Sequence, residues 1–254
     1  MGNDRLDRRT FLKMGGLIAA AGVTIPAASQ IFAPSGLASS GKELSAATDV
    51  SWTMVADVSK CSPDCTICED ACADENNLPR FPGKLSRFDP YWLRIIEAKK
   101  ELSGVDNKAL SLPVMCMMCD KPPCTHVCPT KASFIRPDGL VMIDEHRCIG
   151  CRYCVIACPY RVRFMIFKDT PDDQWTNRKV PKLMRGVASK CTFCVHRIDD
   201  GKLPRCVVDC PENALTFGDR NDPETEVAQL LEPGTAQALR PNLRVGPNVF
   251  YLGL

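Results

Sequence analysis

Cys148-Ile149-Gly150-Cys151-Arg152-Tyr153-Cys154-Val155-Ile156-Ala157-Cys158-Pro159 is the stretch on which the fold turns, with the spacing C-x2-C-x2-C-x3-C-P. A tight loop of this kind brings three thiolates onto one inorganic cube, and the fourth thiolate, ahead of the proline, reaches a second. The count recurs along the chain. Sixteen cysteines fall into four groups of four: Cys61, Cys65, Cys68, Cys72; Cys116, Cys119, Cys124, Cys128; Cys148, Cys151, Cys154, Cys158; and Cys191, Cys194, Cys206, Cys210. Three of the groups end in Cys-Pro, at Cys128-Pro129, Cys158-Pro159 and Cys210-Pro211.

Other uses of cysteine explain less. The pairs Cys116/Cys119, Cys148/Cys151 and Cys191/Cys194 share the spacing of zinc ribbons. Zinc accounts neither for the third cysteine of the central run nor for the Cys-Pro endings. The run is the one bacterial ferredoxins use, so the cofactors expected are four 4Fe-4S clusters held by all sixteen thiolates.

At 254 residues, 45% hydrophobic and 24% charged, the chain has the composition of an ordinary soluble protein with one large or two small domains. Disorder and a collagen-like chain are excluded. Aromatic residues are only 7%, so interiors this rich in cysteine rely on sulfur ligation for their order. The formal charge of +2 counts cysteines as neutral thiols. With the thiolates ionised around four oxidised cores, the sites themselves sum to about −8. Lys121, Lys131, Arg147, Arg152, Arg161, Arg163 and Lys190 stand beside cysteines and are either counter-charges or ordinary solvated residues. Nothing supports nucleic-acid binding.

The N-terminus carries Asp7-Arg8-Arg9-Thr10-Phe11-Leu12-Lys13, then an Ala/Gly-rich stretch from Met14 to Ala33. This is a twin-arginine export signal, spanning residues 1–38. Gly36 and Ala38 suit cleavage before Ser39, and Ala28 offers another position. Gly15, Gly16, Gly22 and Pro26 argue against a soluble amphipathic helix. A retained signal would serve as a membrane anchor, though its alanine and glycine are weaker than leucine for spanning, and no other segment could span. The expected location is the periplasmic face of the cytoplasmic membrane. Exported cysteines ordinarily form disulfides, but the twin-arginine route carries folded proteins, so clusters assembled in the cytoplasm cross intact.

Residues 39–59 read as a linker, 60–219 as the cluster-bearing body and 220–254 as a C-terminal docking tail. Between the first two groups lies an insertion, Ala73 to Met115. There Asp89 caps, Pro90 opens, and Trp92, Ile95 and Ile96 recur at the spacing of a short amphipathic helix ending before Gly104. Ser133–Arg136 and Leu140–Ile143 flank Pro137-Asp138-Gly139 and predict a β-hairpin. Tyr160–Phe167 and Ala214–Phe217 read as further strands, so each cluster group is expected to lead into a strand. Asp222 and Pro223 open a helix through Leu231, and Asn248–Leu252 reads as a closing strand. The tail either wraps the body or docks on a neighbour. The fold class is α+β.

The ferredoxin rule sends the fourth cysteine of a run to the neighbouring cluster, so the groups pair. Cys116, Cys119, Cys124 and Cys158 hold one cluster, and Cys148, Cys151, Cys154 and Cys128 the next. Cys61, Cys65, Cys68 and Cys210 hold a third, and Cys191, Cys194, Cys206 and Cys72 the last. The body is then two interleaved, bacterial-ferredoxin-like two-cluster modules.

Further stretches carry a resemblance: Asp74-Glu75-Asn76-Asn77-Leu78-Pro79, Pro122-Pro123 inside group two, Asp138-Gly139, and Phe217-Gly218-Asp219-Arg220-Asn221-Asp222-Pro223. On these, with the cysteine runs, the chain resembles the four-cluster ferredoxin subunits of membrane-associated oxidoreductases, including those of dimethyl sulfoxide, polysulfide and formate-dependent nitrite reduction. Its signal makes it most similar to the exported iron–sulfur subunit of the membrane complex linked to dissimilatory sulfite reduction. The resemblance implies the same pairing of groups, one with four and two with three. It also implies partners: an integral membrane quinone-reactive subunit, and a catalytic subunit or multihaem cytochrome. Two departures sit in group one, where Cys61-Ser62-Pro63-Asp64-Cys65 has three intervening residues and Cys72-Ala73 lacks the proline.

A chain of clusters without a substrate-site signature reads as an electron-transfer subunit, not an enzyme. No phosphate loop or nucleophile elbow appears, all cysteines are committed, and His126, His146 and His196 are isolated. The alternatives are a freestanding exported ferredoxin and a cluster-based redox sensor, the latter disfavoured because a sensor needs a single cluster.

Overall fold

The computed structural model describes residues 49–81, 89–99 and 109–254. The twin-arginine stretch and both cleavage positions lie outside the described residues. Among the described residues, no helix is long and apolar enough to cross a membrane.

The repeated cysteine runs build a repeated local structure. In groups two, three and four a single helical turn carries the third cysteine: α2 (Pro123–His126) carries Cys124, α3 (Tyr153–Ala157) carries Cys154, and α5 (Arg205–Val208) carries Cys206. A short α4 (Val195–Ile198) precedes α5 in group four. Each turn stops before its Cys-Pro because a proline forces the residue ahead of it out of the helical region, as at Cys158, with φ −73° and ψ 113°. Three residues past those cysteines the chain turns left-handed, with φ 53° at Lys131, 54° at Arg161 and 48° at Asn213. Their amides donate to the carbonyls of Cys128 (3.3 Å), Cys158 (3.2 Å) and Cys210 (3.2 Å). Strands follow: β4 (Ser133–Ile135), β6 (Phe164–Met165) and β8 (Leu215–Asp219).

Group one departs from this pattern, and its sequence says why. With alanine after Cys72 nothing breaks the helix, and α1 runs from Ile67 to Glu75, carrying both Cys68 and Cys72.

Three expectations are corrected. First, the stretch read as a linker contains β1 (Trp52–Asp57), in which Thr53, Met54, Val55 and Ala56 are all buried. A short apolar run with no periodicity is ambiguous, and both partners of β1 lie near the far end of the chain. Second, the insertion forms a hairpin rather than a helix, with β2 (Leu93–Lys99) antiparallel to β3 (Ala109–Met115). Trp92, Ile95 and Ile96 have helical spacing, but β-branched isoleucines and an apolar partner run, Leu93 opposite Met115 and Ile96 opposite Leu112, favour the strand. Third, the tail helix α6 spans Glu226–Leu231, and its cap is Thr225, whose hydroxyl accepts from the Ala228 amide at 3.2 Å. Asp222 and Pro223 belong to the turn before it.

The expected hairpin is present as β4 with β5 (Val141–Ile143), closed by Gly139 at φ 84°. Strand β7 (Ala188–Ser189) pairs with β6. The tail wraps the body. Its closing strand β10 (Val249–Leu252) lies parallel to β1, β8 lies antiparallel on the other side, and β9 (Gln237–Ala238) edges β10, giving the order β8-β1-β10-β9. Val227 of α6 is fully buried and covers one face at Gly218. Met54, Ala56, Phe217, Val249 and Tyr251 join the cysteine-bearing core. The Tyr251 hydroxyl donates to the Pro113 carbonyl at 2.9 Å, tying sheet to hairpin.

Candidate metal centres

The structure brings together cysteines from distant groups. Cys61, Cys65, Cys68 and Cys210 line one small pocket, walled by Pro113, Pro211, Ala214 and Leu215. Cys116, Cys119, Cys124 and Cys158 line a second, with Val141, Val162 and Arg163. Cys72 is fully buried against Cys191, Cys194 and Cys206. Cys154 faces Cys148 and Cys128, and Cys151 stands exposed in the same loop. We call these the 61/210, 116/158, 72/191 and 128/148 sites.

Left-handed residues shape the loops: Asp64, Met118, Gly150, Arg152, Phe193 and Cys194 all have positive φ. Such kinks turn successive amides toward one side, a concavity suited to anionic sulfur. Amides of Ser133, Ala188, Phe193 and Ala214 donate to the Sγ of Cys128, Cys148, Cys191 and Cys210 at 3.3 to 3.4 Å. Asn76 Nδ2 lies 3.7 Å from Cys72 Sγ and 3.6 Å from Cys194 Sγ.

The protein alone does not favour ionising these thiols. Burial pushes Cys68 up to about 12, helped by repulsion from Cys61, Cys210 and Cys65. Burial and the neighbouring cysteines raise Cys119 and Cys191 to about 12 and Cys72 well above its ordinary value. Cys128 runs the other way: burial raises it, but donors from Ser133, Thr130 and Ala132 outweigh that and lower it. Thiols packed to repel one another ionise together only around a cation. All sixteen are unbridged. All-cysteine donor sets that draw on a C-x2-C-x2-C-x3-C-P run suit a multi-iron cluster better than zinc.

Of the basic residues picked out near cysteines, Lys121, Lys131, Arg147, Arg152 and Arg161 are exposed, whereas Arg163 and Lys190 are buried. His126 and His146 are exposed. His196 Nε2 meets Glu75 Oε1 at 2.8 Å, and Arg197 Nη1 meets Glu75 Oε2 at 3.3 Å, joining α1 to α4. The sequence reading missed Asn76 as a sulfur donor, although its place just after a cysteine-bearing helix was a usable signal. It also missed Asn248, which had none. The Asn248 amide donates to the Met117 carbonyl at 2.7 Å and its Nδ2 to the Met118 carbonyl at 2.7 Å, so the tail grips the Cys116–Cys119 loop.

A sequence model of the 4Fe-4S dicluster domain matches residues 107–220. The chain is 40% identical to the Hdr-like menaquinol oxidoreductase iron-sulfur subunit 1 of Archaeoglobus fulgidus, over 98% of each chain. Against the iron-sulfur cluster-binding subunit of menaquinone reductase from Nitratidesulfovibrio vulgaris it is 34% identical, over 80% of this chain and 89% of that one. It is 36% identical to the protein NrfC of Escherichia coli, over 79% and 80%. The recurring thiol loops and this full-length likeness have one reading: the chain belongs to the family of 4Fe-4S electron-transfer subunits, the non-catalytic members of larger respiratory oxidoreductase complexes.

Proposed function

We propose that the four cysteine sets each hold one 4Fe-4S cluster and stand in a single row, 128/148, 116/158, 72/191, 61/210, along which the chain relays electrons. The observation that carries this is the pattern of burial. Every cysteine of the 116/158 and 72/191 sites is buried, whereas both remaining sites keep half-buried or exposed cysteines, as the two ends of a row would. Contacts between sites give the same order. Arg163 faces Cys124, Cys116 and Cys154, Cys116 faces Cys191, and Cys68 faces Cys206. Bound there, the clusters supply one-electron redox chemistry. The chain's residues bury the inner sites from water, donate N–H groups to sulfur and leave the end sites open to partners. On this pairing the body is two interleaved ferredoxin-like modules, groups two with three and one with four.

The partners we propose are an integral membrane quinone-reactive subunit and a catalytic subunit or multihaem cytochrome. The place is the periplasmic face of the membrane, reached by the twin-arginine route and kept through a partner or a retained signal. The arginine pair ahead of the cluster body and the relatives' menaquinol and menaquinone chemistry support this. Purification from native membranes in mild detergent should recover the chain with a quinone-binding membrane protein and about sixteen iron atoms per chain. Recovery alone and soluble outside the cytoplasm would favour a freestanding ferredoxin, and zinc in place of iron would overturn the reading.

A further inference from the structure

We infer that Arg163, seconded by Lys190, gives the 116/158 site the highest reduction potential of the four. This rests on the cluster assignment above. Among the described residues, these are the two lysine or arginine side chains that are buried, 3% and 2% exposed. Both converge on one site. Arg163 lines the cavity of Cys116, Cys119, Cys124 and Cys158. Its Nη2 donates to Ser133 Oγ at 2.7 Å and its side chain also bonds toward Cys154 of the neighbouring 128/148 site, while Nη1 is buried with no further partner. Lys190 Nζ donates to the Cys191 carbonyl at 2.8 Å and lies 3.7 Å from Met118 Sδ, inside the Cys116–Cys119 loop.

A buried cation is costly unless an anion compensates it, and an orphaned guanidinium N–H is what a purely structural arginine avoids. The compensating charge is the thiolate set, since the groups that favour charged Arg163 are Cys124, Cys116 and Cys154. Guanidinium does not deprotonate in proteins, so the charge at Arg163 is permanent. A positive charge favours the more negative, reduced state of the site it faces, most strongly where water is excluded. The 116/158 site faces both basic side chains, Arg163 with its permanent charge and Lys190, whose ammonium burial disfavours against the pull of Cys116 and Cys191. The 72/191 site has Lys190 alone, the 128/148 site Arg163 alone, and among the described residues no buried lysine or arginine reaches the 61/210 site.

The test is a potentiometric titration of the purified, iron-loaded chain, followed by low-temperature electron paramagnetic resonance. Cys119→Ser marks the 116/158 signal by displacing it, and that signal should be the highest transition of the unsubstituted chain. Arg163→Gln should lower it about tenfold in the one-electron equilibrium, about 59 mV. Lys190→Met should lower the same transition. Arg163→Lys should hold it within about threefold, and Arg147→Gln, at an exposed arginine beside Cys148, should move nothing. The inference is overturned if the highest transition belongs to another site, or if it stays in place in Arg163→Gln. If that variant loses iron, Lys190→Met decides; if both lose it, the cations are structural and the inference falls. Iron far below about sixteen atoms in the unsubstituted chain would instead reject the cluster assignment.

Discussion

Gly150 shows how little room a cysteine loop leaves. It sits at φ 68°, and a Cβ there would lie 2.2 Å from the Gly186 carbonyl oxygen, so backbone must move. Gly150→Ala should therefore cost about 2 kcal/mol or more from the left-handed conformation and the clash together. Its signature should be selective, with iron falling by about a quarter as the 128/148 site empties and the other signals stay. The glycine was visible in Cys-Ile-Gly-Cys; the carbonyl it must clear comes from a loop far along the chain. Glu75 is a second case. Burial raises its carboxyl, but the bonds from His196 and Arg197 prevail and hold it below the usual value. A depressed folded value means this group's stabilisation is complete above the ordinary carboxylate range and is lost as pH falls through the folded value. Glu75→Gln should cost about 1–3 kcal/mol at neutral pH. Its melting temperature should also fall less steeply on acidification than that of the unsubstituted chain.

Among the elements, the helical turns follow from local sequence and the strands largely do not. Cys-Pro ends α2, α3 and α5 because the residue before a proline leaves the helical region, so three of the four groups were readable in outline. The missing proline after Cys72 has its own consequence in the nine-residue α1, which holds Cys68 for one site and Cys72 for the next. Replacing Ala73 with proline would make group one look like the others, yet it should be harmful. It removes a hydrogen bond inside α1 and clashes with the preceding turn, a loss of about 3 kcal/mol. Ala73→Pro should lower helical circular dichroism and release iron from the 61/210 and 72/191 sites together. Hairpin β2–β3 was not legible locally because Trp92, Ile95 and Ile96 have helical spacing, and only pairing with the partner run Ala109–Met115 overrides it.

Across the whole molecule, sulfur ligation and one sheet share the work of closure. Strand β1 sits between β8 and β10, so segments at both ends of the described body meet in one sheet. Chelation of iron under reducing conditions should collapse the fold in one cooperative step, seen as loss of near-ultraviolet circular dichroism, because the cores are small and their thiols repel. Survival of a native spectrum in the iron-free chain would show that the sheet alone suffices. The spacing of cysteines by itself pointed to 4Fe-4S clusters, and the prolines after three of the groups set where the helical turns stop, since each depends on a few adjacent residues and the bite of a short loop. Only the tertiary structure decided that the expected linker is a central strand, that the tail holds the Cys116–Cys119 loop, and that two buried basic side chains, Arg163 and Lys190, stand beside Cys116 and Cys124. Those are contacts between residues far apart in sequence, chosen by which surfaces exclude water together, and no local pattern encodes them.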